Sequence, residues 1–259
     1  MKKLSLRPKT YDLLITTLVC FLTTLIVSSA MAAAEEAAPV EDYRTANDLV
    51  ELHIPIEITA PYKQRRETHG FMFDAGFENV MLDRYVSIID FTTFYQEMFG
   101  ESEFPVVNVD FSYKFNFSLG SLLATGGFGY GSIADDASGV KRSLTLQKLR
   151  VSASYIMDNM FNEPYVAPYV TAGIMNLGFT EKAGDTTQSH AVDTMFYQAG
   201  LLLQLDWLDP TYTKRNISEY GLQNTYLDLY MTAYEPSPDS NDPDTSTDYT
   251  FGAGFRLEF

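Results

Sequence analysis

Between residues 105 and 117 the chain alternates without a break. Val107, Val109, Phe111, Tyr113, Phe115 and Phe117 hold the odd positions, and Asn108, Asp110, Ser112, Lys114 and Asn116 the even ones. Period two predicts a strand with one apolar, aromatic face and one face carrying charges of both signs. Residues 69–79 repeat the pattern, with Phe71, Phe73, Ala75 and Phe77 against Met72, Asp74, Gly76 and Glu78. Residues 224–234 repeat it again, with Leu227, Leu229, Met231 and Ala233 against Tyr226, Asp228, Tyr230 and Thr232. In 191–207 the apolar set is Met195, Tyr197, Ala199, Leu201, Leu203, Leu205 and Trp207; in 249–259 it is Tyr249, Phe251, Ala253, Phe255, Leu257 and Phe259. Three segments are less regular. In 121–134, Thr125, Gly127, Gly129 and Gly131 would line a crowded interior. In 143–157 the parity changes between Leu146 and Leu149, which predicts a bulge near Gln147. The pattern leaves the facing of 164–180 open.

Turn chemistry separates these segments. FSLGS at 117–121 is tight, whereas ADDASGVK at 134–141, TEKAGDTTQS at 180–189 and PSPDSNDPDTSTD at 236–248 are polar and rich in turn formers. The count is eight strands, so 80–104, 134–141, 180–189 and 236–248 fall at one end. DPTYTKRNISEYG at 209–221 is long for a turn at the other end. Within LDRYVSIIDFTTFYQEMFG, Thr93 with Gln96 three residues later and a closing Gly100 predicts a short helix. LHIPIEIT, near residue 55, also alternates. Counting it and the 82–100 segment as strands would make ten.

Residues 69–79 and 224–234 each have about the 9 to 11 residues that cross a bilayer as a tilted strand, and no run after residue 33 approaches the ~18 apolar residues of a spanning helix. A helical membrane protein is therefore excluded. A soluble sandwich shares the alternation, but strand length and the lack of a second packed sheet favour a membrane barrel. An open sheet this aromatic on one face would aggregate through its edges, whereas closure removes them. The front end reads as an export signal. Lys2, Lys3, Arg7 and Lys9 precede the apolar LLITTLVCFLTTLIV, and Ala30 and Ala32 stand in A-x-A spacing, with cleavage expected after Ala32. An uncleaved anchor is the alternative. The domain reading is a signal peptide over 1–32, a periplasmic arm or plug over 33–66, and the barrel over 67–259. The single cysteine, Cys20, leaves with the signal, so disulfides and thiolate metal sites are excluded. Losing those four basic residues and Asp12 takes the net charge from −16 to −19. Such acidity argues against nucleic acid as a partner.

The export signal, the eight alternating segments and the ending Phe255-Arg-Leu257-Glu-Phe259 resemble small bacterial outer-membrane β-barrels of the OmpA, OmpX and OmpW type. The resemblance implies an all-β, eight-stranded antiparallel transmembrane barrel, integral to the outer membrane. It further implies that Phe255, Leu257 and Phe259 form the signal read by the barrel-assembly machinery, and that the barrel meets outer-membrane lipid and lipopolysaccharide. Tyr113, Phe115, Phe117, Trp207, Tyr249 and Phe259 suit aromatic belts at the lipid interfaces.

An eight-stranded barrel holds only its own side chains or one small ligand. Its inward list comprises Asp74, Glu78, Asp110, Lys114, Lys148, Arg150, Asp206, Asp228, Arg256 and Glu258. Charges in so narrow a space must pair or hold water. The expected role is therefore a plugged, ion-paired barrel with a structural or surface-interaction function; the alternative is a narrow channel for small polar or hydrophobic solutes. No enzyme is expected, with a lipid-modifying hydrolase as the weaker alternative. His53, His69 and His190 are the histidines available. Ser189, His190 and Asp193 stand close in sequence, but adjacent strand residues point to opposite faces, which keeps Ser189 and His190 from acting as nucleophile and base. No cofactor is expected. Asp239, Asn241, Asp242 and Asp244 offer closely spaced oxygen ligands for Ca²⁺, without the turn glycine of an EF-hand; a solvated acidic loop is the plainer reading.

Overall fold

A computed structural model describes residues 60–135, 141–239 and 241–259. The signal at 1–32, the arm up to residue 59 with His53 and LHIPIEIT, and most of the 134–141 connection lie outside the described residues. So does the segment on which a ten-strand count partly rests.

The alternating segments form strands β1 (His69–Val80), β2 (Phe104–Phe117), β3 (Gly120–Asp135), β4 (Arg142–Ile156), β5 (Val166–Ala183), β6 (Thr186–Gln204), β7 (Asn224–Tyr234) and β8 (Thr250–Glu258). Each pairs antiparallel with the next, and β8 closes on β1. Following the pairing once around from His69 through Phe115, Leu122, Tyr155, Val170, Ala199, Met231 and Phe251 returns to β1 at Asn79, a shear of ten residues (79 against 69). With about 3.3 Å per residue and about 4.8 Å between strands, that shear implies a tilt of about 40° and a backbone radius of about 8 Å. Such a lumen is filled by side chains.

The two faces separate as the alternation predicts. Along β2 every even residue from Phe104 to Asn116 is buried, and Val107, Val109, Phe111, Tyr113 and Phe115 are exposed. β1, β6 and β7 follow suit, so the outer wall is apolar and aromatic. Gly127, Gly129 and Gly131 line the interior, where a Cβ would meet Asp110, Asn108 and Val106 side chains respectively. In β5 the odd positions Tyr169, Met175, Leu177, Phe179 and Glu181 are buried, which resolves its facing.

Four local expectations need correction. No bulge interrupts β4: its pairing with β3 and β5 is continuous from Arg142 to Ile156, and Leu144 and Leu146 point inward with Lys148 and Arg150. The parity change reflects a lumen that turns apolar towards one end. The polar stretch 180–189 is the tip of a long hairpin, with β5 and β6 paired down to Ala183 and Thr186 and a turn whose Gly184 has φ +56°. In the β1–β2 connection, helix α2 spans Tyr95–Phe99, with α1 being the single turn Tyr62–Arg65. Glu97 rather than Gln96 caps α2, accepting from Phe94 N–H at 3.0 Å, and Gly100 ends it at φ +67°. Finally, 209–221 forms helix α3 (Pro210–Tyr220), preceded by a 3₁₀ turn over Asp206–Leu208. Asp209 caps it by accepting from Thr211 N–H and Tyr212 N–H, Pro210 pre-sets the first turn, and Gly221 closes it in the left-handed region at φ +68°.

The alternation of strand direction puts the connections after β1, β3, β5 and β7 at one end, called the far end. The turns after β2, β4 and β6 lie at the near end with α1 and Phe259. The far half of the lumen holds an apolar cluster of Val106, Leu144, Leu146, Met175, Leu177, Phe179, Val192 and Phe196. The β1–β2 connection folds down onto it through Leu82, Tyr85, Met98 and Phe99. That connection is a plug.

Candidate functional site

The inward charges form a column along the lumen. Nearest the near end, Lys114 Nζ lies 2.5 Å from Glu258 Oε1 and 2.6 Å from Asp158 Oδ2, and it donates to Tyr62 Oη at 2.8 Å. Tyr62 is fully buried, and its hydroxyl donates to Glu258 at 2.6 Å. Thus the last residues before β1 close this mouth. Arg66 pairs with Asp158 at 3.0 Å and donates to Gly120 O at the same distance, tying α1 to the β2–β3 turn. Burial alone would raise the Asp158 carboxyl. Lys114, Ser121 and Arg66 outweigh it and hold the group below its ordinary range.

Deeper in, Arg150 Nε donates to Asp110 Oδ1 at 2.7 Å, and its Nη2 engages the second carboxylate oxygen. Arg256 pairs with Asp74 and, at 3.0 Å, with Asp228, which also accepts from Tyr169 Oη at 2.9 Å. Gln198 donates to the same Tyr169 hydroxyl at 2.7 Å. Lys148 pairs with Glu78, which also accepts from Tyr234 Oη at 2.7 Å and Asn108 Nδ2 at 3.2 Å. Every one of these charged groups is buried, so each would be costly alone and is tolerable only because it is paired. The cavity bordered by Asp74, Asp110, Arg150, Asp228 and Arg256 measures about 20 Å³, room for a single water molecule.

At the far end the plug is latched by a carboxylate absent from the inward list. Glu181, fully buried, accepts from Tyr85 Oη at 3.1 Å, Ser87 Oγ at 2.7 Å and Ile88 N–H at 2.9 Å, and pairs with Arg142 at 3.2 Å. Arg142 reaches on to Asp90 at 2.8 Å. Burial works to raise Asp90, but the Arg142 bond and donors from Thr93 and Thr92 hold its carboxyl well below the usual range. Burial and the neighbouring Glu181 push the Tyr85 hydroxyl up.

Of the ten inward candidates, Asp206 lies apart. It sits in the 3₁₀ turn past β6, half-buried, where its Oδ1 accepts from Thr225 N–H at 3.2 Å. Trp207 follows it in the same 3₁₀ turn at 60 % exposure. Tyr113, Phe115, Tyr249, Phe255 and Phe259 are likewise exposed, whereas Phe117 and Leu257 are half-buried. Sequence reasoning missed Glu181, Asp158, Tyr62, Arg66 and Arg142. Asp158 and Tyr62 stand outside the alternating segments, and Glu181 follows a run of inward apolar residues that disguises its face.

The remaining candidates have separate partners. Ser189 Oγ shares a hydrogen bond with Thr180 Oγ1 at 3.1 Å, His190 Nε2 lies 3.0 Å from Asp242 Oδ1, and Asp193 accepts from Asn176 Nδ2 at 2.7 Å. His69 is exposed, stacks on Tyr113 and shares a 2.6 Å hydrogen bond with its hydroxyl. In the β7–β8 connection Asp239 accepts from Asn241, Asp242 from Ser237 and Asp244 from Ser246. Among the described residues no three His, Cys, Asp or Glu side chains gather in a group that could hold a metal.

No protein-family model and no curated protein matches the sequence. Among solved structures, the chain is similar to the N-terminal β-barrel domain of OprF from Pseudomonas aeruginosa, at 14 % identity over 74 % of this chain and 98 % of that one, with a TM-score of 0.40. It is similar to Ail, the attachment invasion locus protein of Yersinia pestis, at 14 % identity over 74 % and 97 %, TM-score 0.41. It is similar to the outer membrane protein OprG of Pseudomonas aeruginosa at 11 % identity over 75 % and 97 %, TM-score 0.43.

Proposed function

We propose that this chain is an integral outer-membrane barrel with a closed lumen, serving a structural or surface-interaction role in the bacterial envelope. The support comes from an inversion of the usual burial rule. Phenylalanine, valine and leucine cover the outside while lysine, arginine, aspartate and glutamate are buried within. Water would penalise the apolar outer face, whereas lipid solvates it. Residues 1–32 are then the export signal, 33–66 the periplasmic arm, and Phe255, Leu257 and Phe259 the terminal signal for assembly. The near end faces the periplasm. The far end, with Asp83, Glu101, Glu103, Asp185, Asp242 and Asp244 in its connections, faces outward, where divalent cations bridge acidic groups to lipopolysaccharide.

The observation that carries the closed-lumen reading is the continuous obstruction from Tyr62 through the charge column to the Glu181-latched plug. Single-channel recording of the refolded barrel in a planar bilayer tests it. The expected record is silent. Discrete, reproducible steps that change with Lys114→Ala or Arg256→Ala would replace it with a solute channel.

A further inference from the structure

The β6–β7 connection is far longer than closing a hairpin requires, and it folds into a helix none of whose residues is fully buried. No side chain of α3 is buried. The helix is tied back mainly to its own leading turn, through Thr213 Oγ1 donating to Asp206 O at 3.0 Å. Yet Trp207, Leu208, Tyr212 and Tyr220 are each at least 60 % exposed. Tyr212, Asn216 and Tyr220 follow one another at i, i+4 spacing with Ile217 beside them. Lys214 and Ser218 occupy the opposite side, and Arg215 and Glu219, paired at 2.9 Å, flank Tyr212. The helix thus sets two largely exposed tyrosines against a polar side at Lys214 and Ser218.

Two further observations identify what covers it. Trp207 stands in the 3₁₀ turn three residues past Gln204, the last residue of β6, so it lies at the near-end foot of the apolar wall. Exposure of large apolar groups also encircles the near end. Leu119 marks the β2–β3 turn, Met160 and Phe161 the β4–β5 turn, Trp207 and Leu208 the β6–β7 turn, and Phe259 the β8–β1 seam. In an eight-stranded barrel those four places stand about a quarter turn apart. A docked protein would cover one quadrant, whereas a planar leaflet covers all four. Tryptophan and tyrosine with adjacent cations are also the chemistry of the headgroup boundary.

We infer that α3 lies flat in the near-end phospholipid leaflet, with Trp207, Tyr212 and Tyr220 at the acyl boundary and Lys214 and Arg215 among the phosphates. This rests on the outer-membrane reading and adds a second, helical membrane contact to it. The chain's one tryptophan makes the test direct. The barrel is refolded into phosphatidylethanolamine–phosphatidylglycerol vesicles carrying bromine either shallow or deep on the acyl chain, and Trp207 emission is recorded. Trp207→Phe combined with either Tyr212→Trp or Ser218→Trp moves the reporter to the two sides of the helix. The expected result is blue-shifted emission from positions 207 and 212, lost more to shallow than to deep bromine, with position 218 unquenched. A folded, protease-protected barrel in which 212 is unquenched, or in which 212 and 218 are quenched alike, would overturn the inference while leaving the membrane reading intact. A refolded chain that fails to gain protease protection would overturn both, and a protein partner for α3 would become the reading to pursue.

Discussion

Gly126 and Gly127 are adjacent on β3 and face opposite sides of the barrel wall, so a methyl group added to each makes a controlled comparison. At Gly126 an added Cβ meets nothing within 4 Å. At Gly127 it overlaps Asp110 Oδ1 and comes within 2.7 Å of Asp110 Cγ and 3.2 Å of Arg150 Nε. Backbone on both sides holds the strand in place through β2 and β4, so the carboxylate must move and release the two-point pairing with Arg150. Breaking a buried pair costs about 3–5 kcal/mol because a charge is left uncompensated. Alanine in place of glycine returns about 0.5–1 kcal/mol of chain entropy at either position. Gly127→Ala should therefore destabilise by about 2–4 kcal/mol, while Gly126→Ala is neutral or slightly stabilising. The assay is equilibrium unfolding of the refolded barrel in urea with lipid vesicles, followed by circular dichroism in the β-sheet band. Because the cost is assigned to the ion pair, Gly127→Ala made in an Asp110→Ala, Arg150→Met background should lose most of its effect. Equal midpoints for the two alanine variants, or an undiminished cost in the pair-deleted background, would refute the account of the lumen.

The same reasoning applies to other parts of the column. Lys148→Met should destabilise by about 3–5 kcal/mol by stranding Glu78, and adding Glu78→Gln should recover much of it; a double variant as unstable as the single would contradict the pairing. Glu181→Gln weakens the latch on the plug, so amides of residues 85–99 should exchange faster with solvent while those of β2 and β3 do not change; hydrogen exchange by mass spectrometry reads this directly. Asp206 supplies a pH dependence. Burial raises its carboxyl from 3.8 to about 6, with the Thr225 N–H and Arg65 pulling the other way. The fold thus favours the neutral form, and the stability that form contributes is full below about 3.8 and is lost as pH rises through about 6. The urea midpoint of the wild type should fall across that window relative to Asp206→Asn; parallel curves would show that the burial has no thermodynamic effect.

Much of this architecture is legible in the sequence because lipid outside and charge inside keep period two intact over β1, β2, β6 and β7. Legibility fails where the physical contrast between the faces fades. Leu144 and Leu146 read as outward because leucine is apolar, but the far lumen is apolar too, and so a continuous strand imitates a bulge. The tips of β5 and β6 carry polar residues on both faces and read as a loop, although the ladder runs on to Ala183 and Thr186. Tyr62, Asp158 and Glu181 were hidden for a different reason. Their roles are set by partners 52, 44 and 39 residues away, Lys114 for the first two and Arg142 for Glu181, which no local pattern contains.

That dependence on distant partners also bears on how the barrel finds its closure. Each strand's alternation fixes which residues face inward but permits any even shift against its neighbours, so faces alone do not select a shear of ten. The ion pairs discriminate among those shifts. Asp110 and Arg150 meet because both are registered opposite Gly127, the residue that leaves them room. Asp74 meets Arg256 because the two are directly paired across the seam. A two-residue slip at either place would preserve every face and yet set a carboxylate against the wrong neighbour, leaving a buried charge uncompensated. The outer wall lacks this power, since lipid accepts Phe111 beside Gly126 or beside Phe128 with little preference. On this argument the lumen charges are the register code of the barrel. Reversing one pair, Asp110→Arg with Arg150→Asp, should preserve the shear where either single change disturbs it. Disulfide trapping between cysteines introduced at the outward, directly paired Val109 and Phe128 of β2 and β3 would detect the shift, and efficient trapping in the single variants would refute the code.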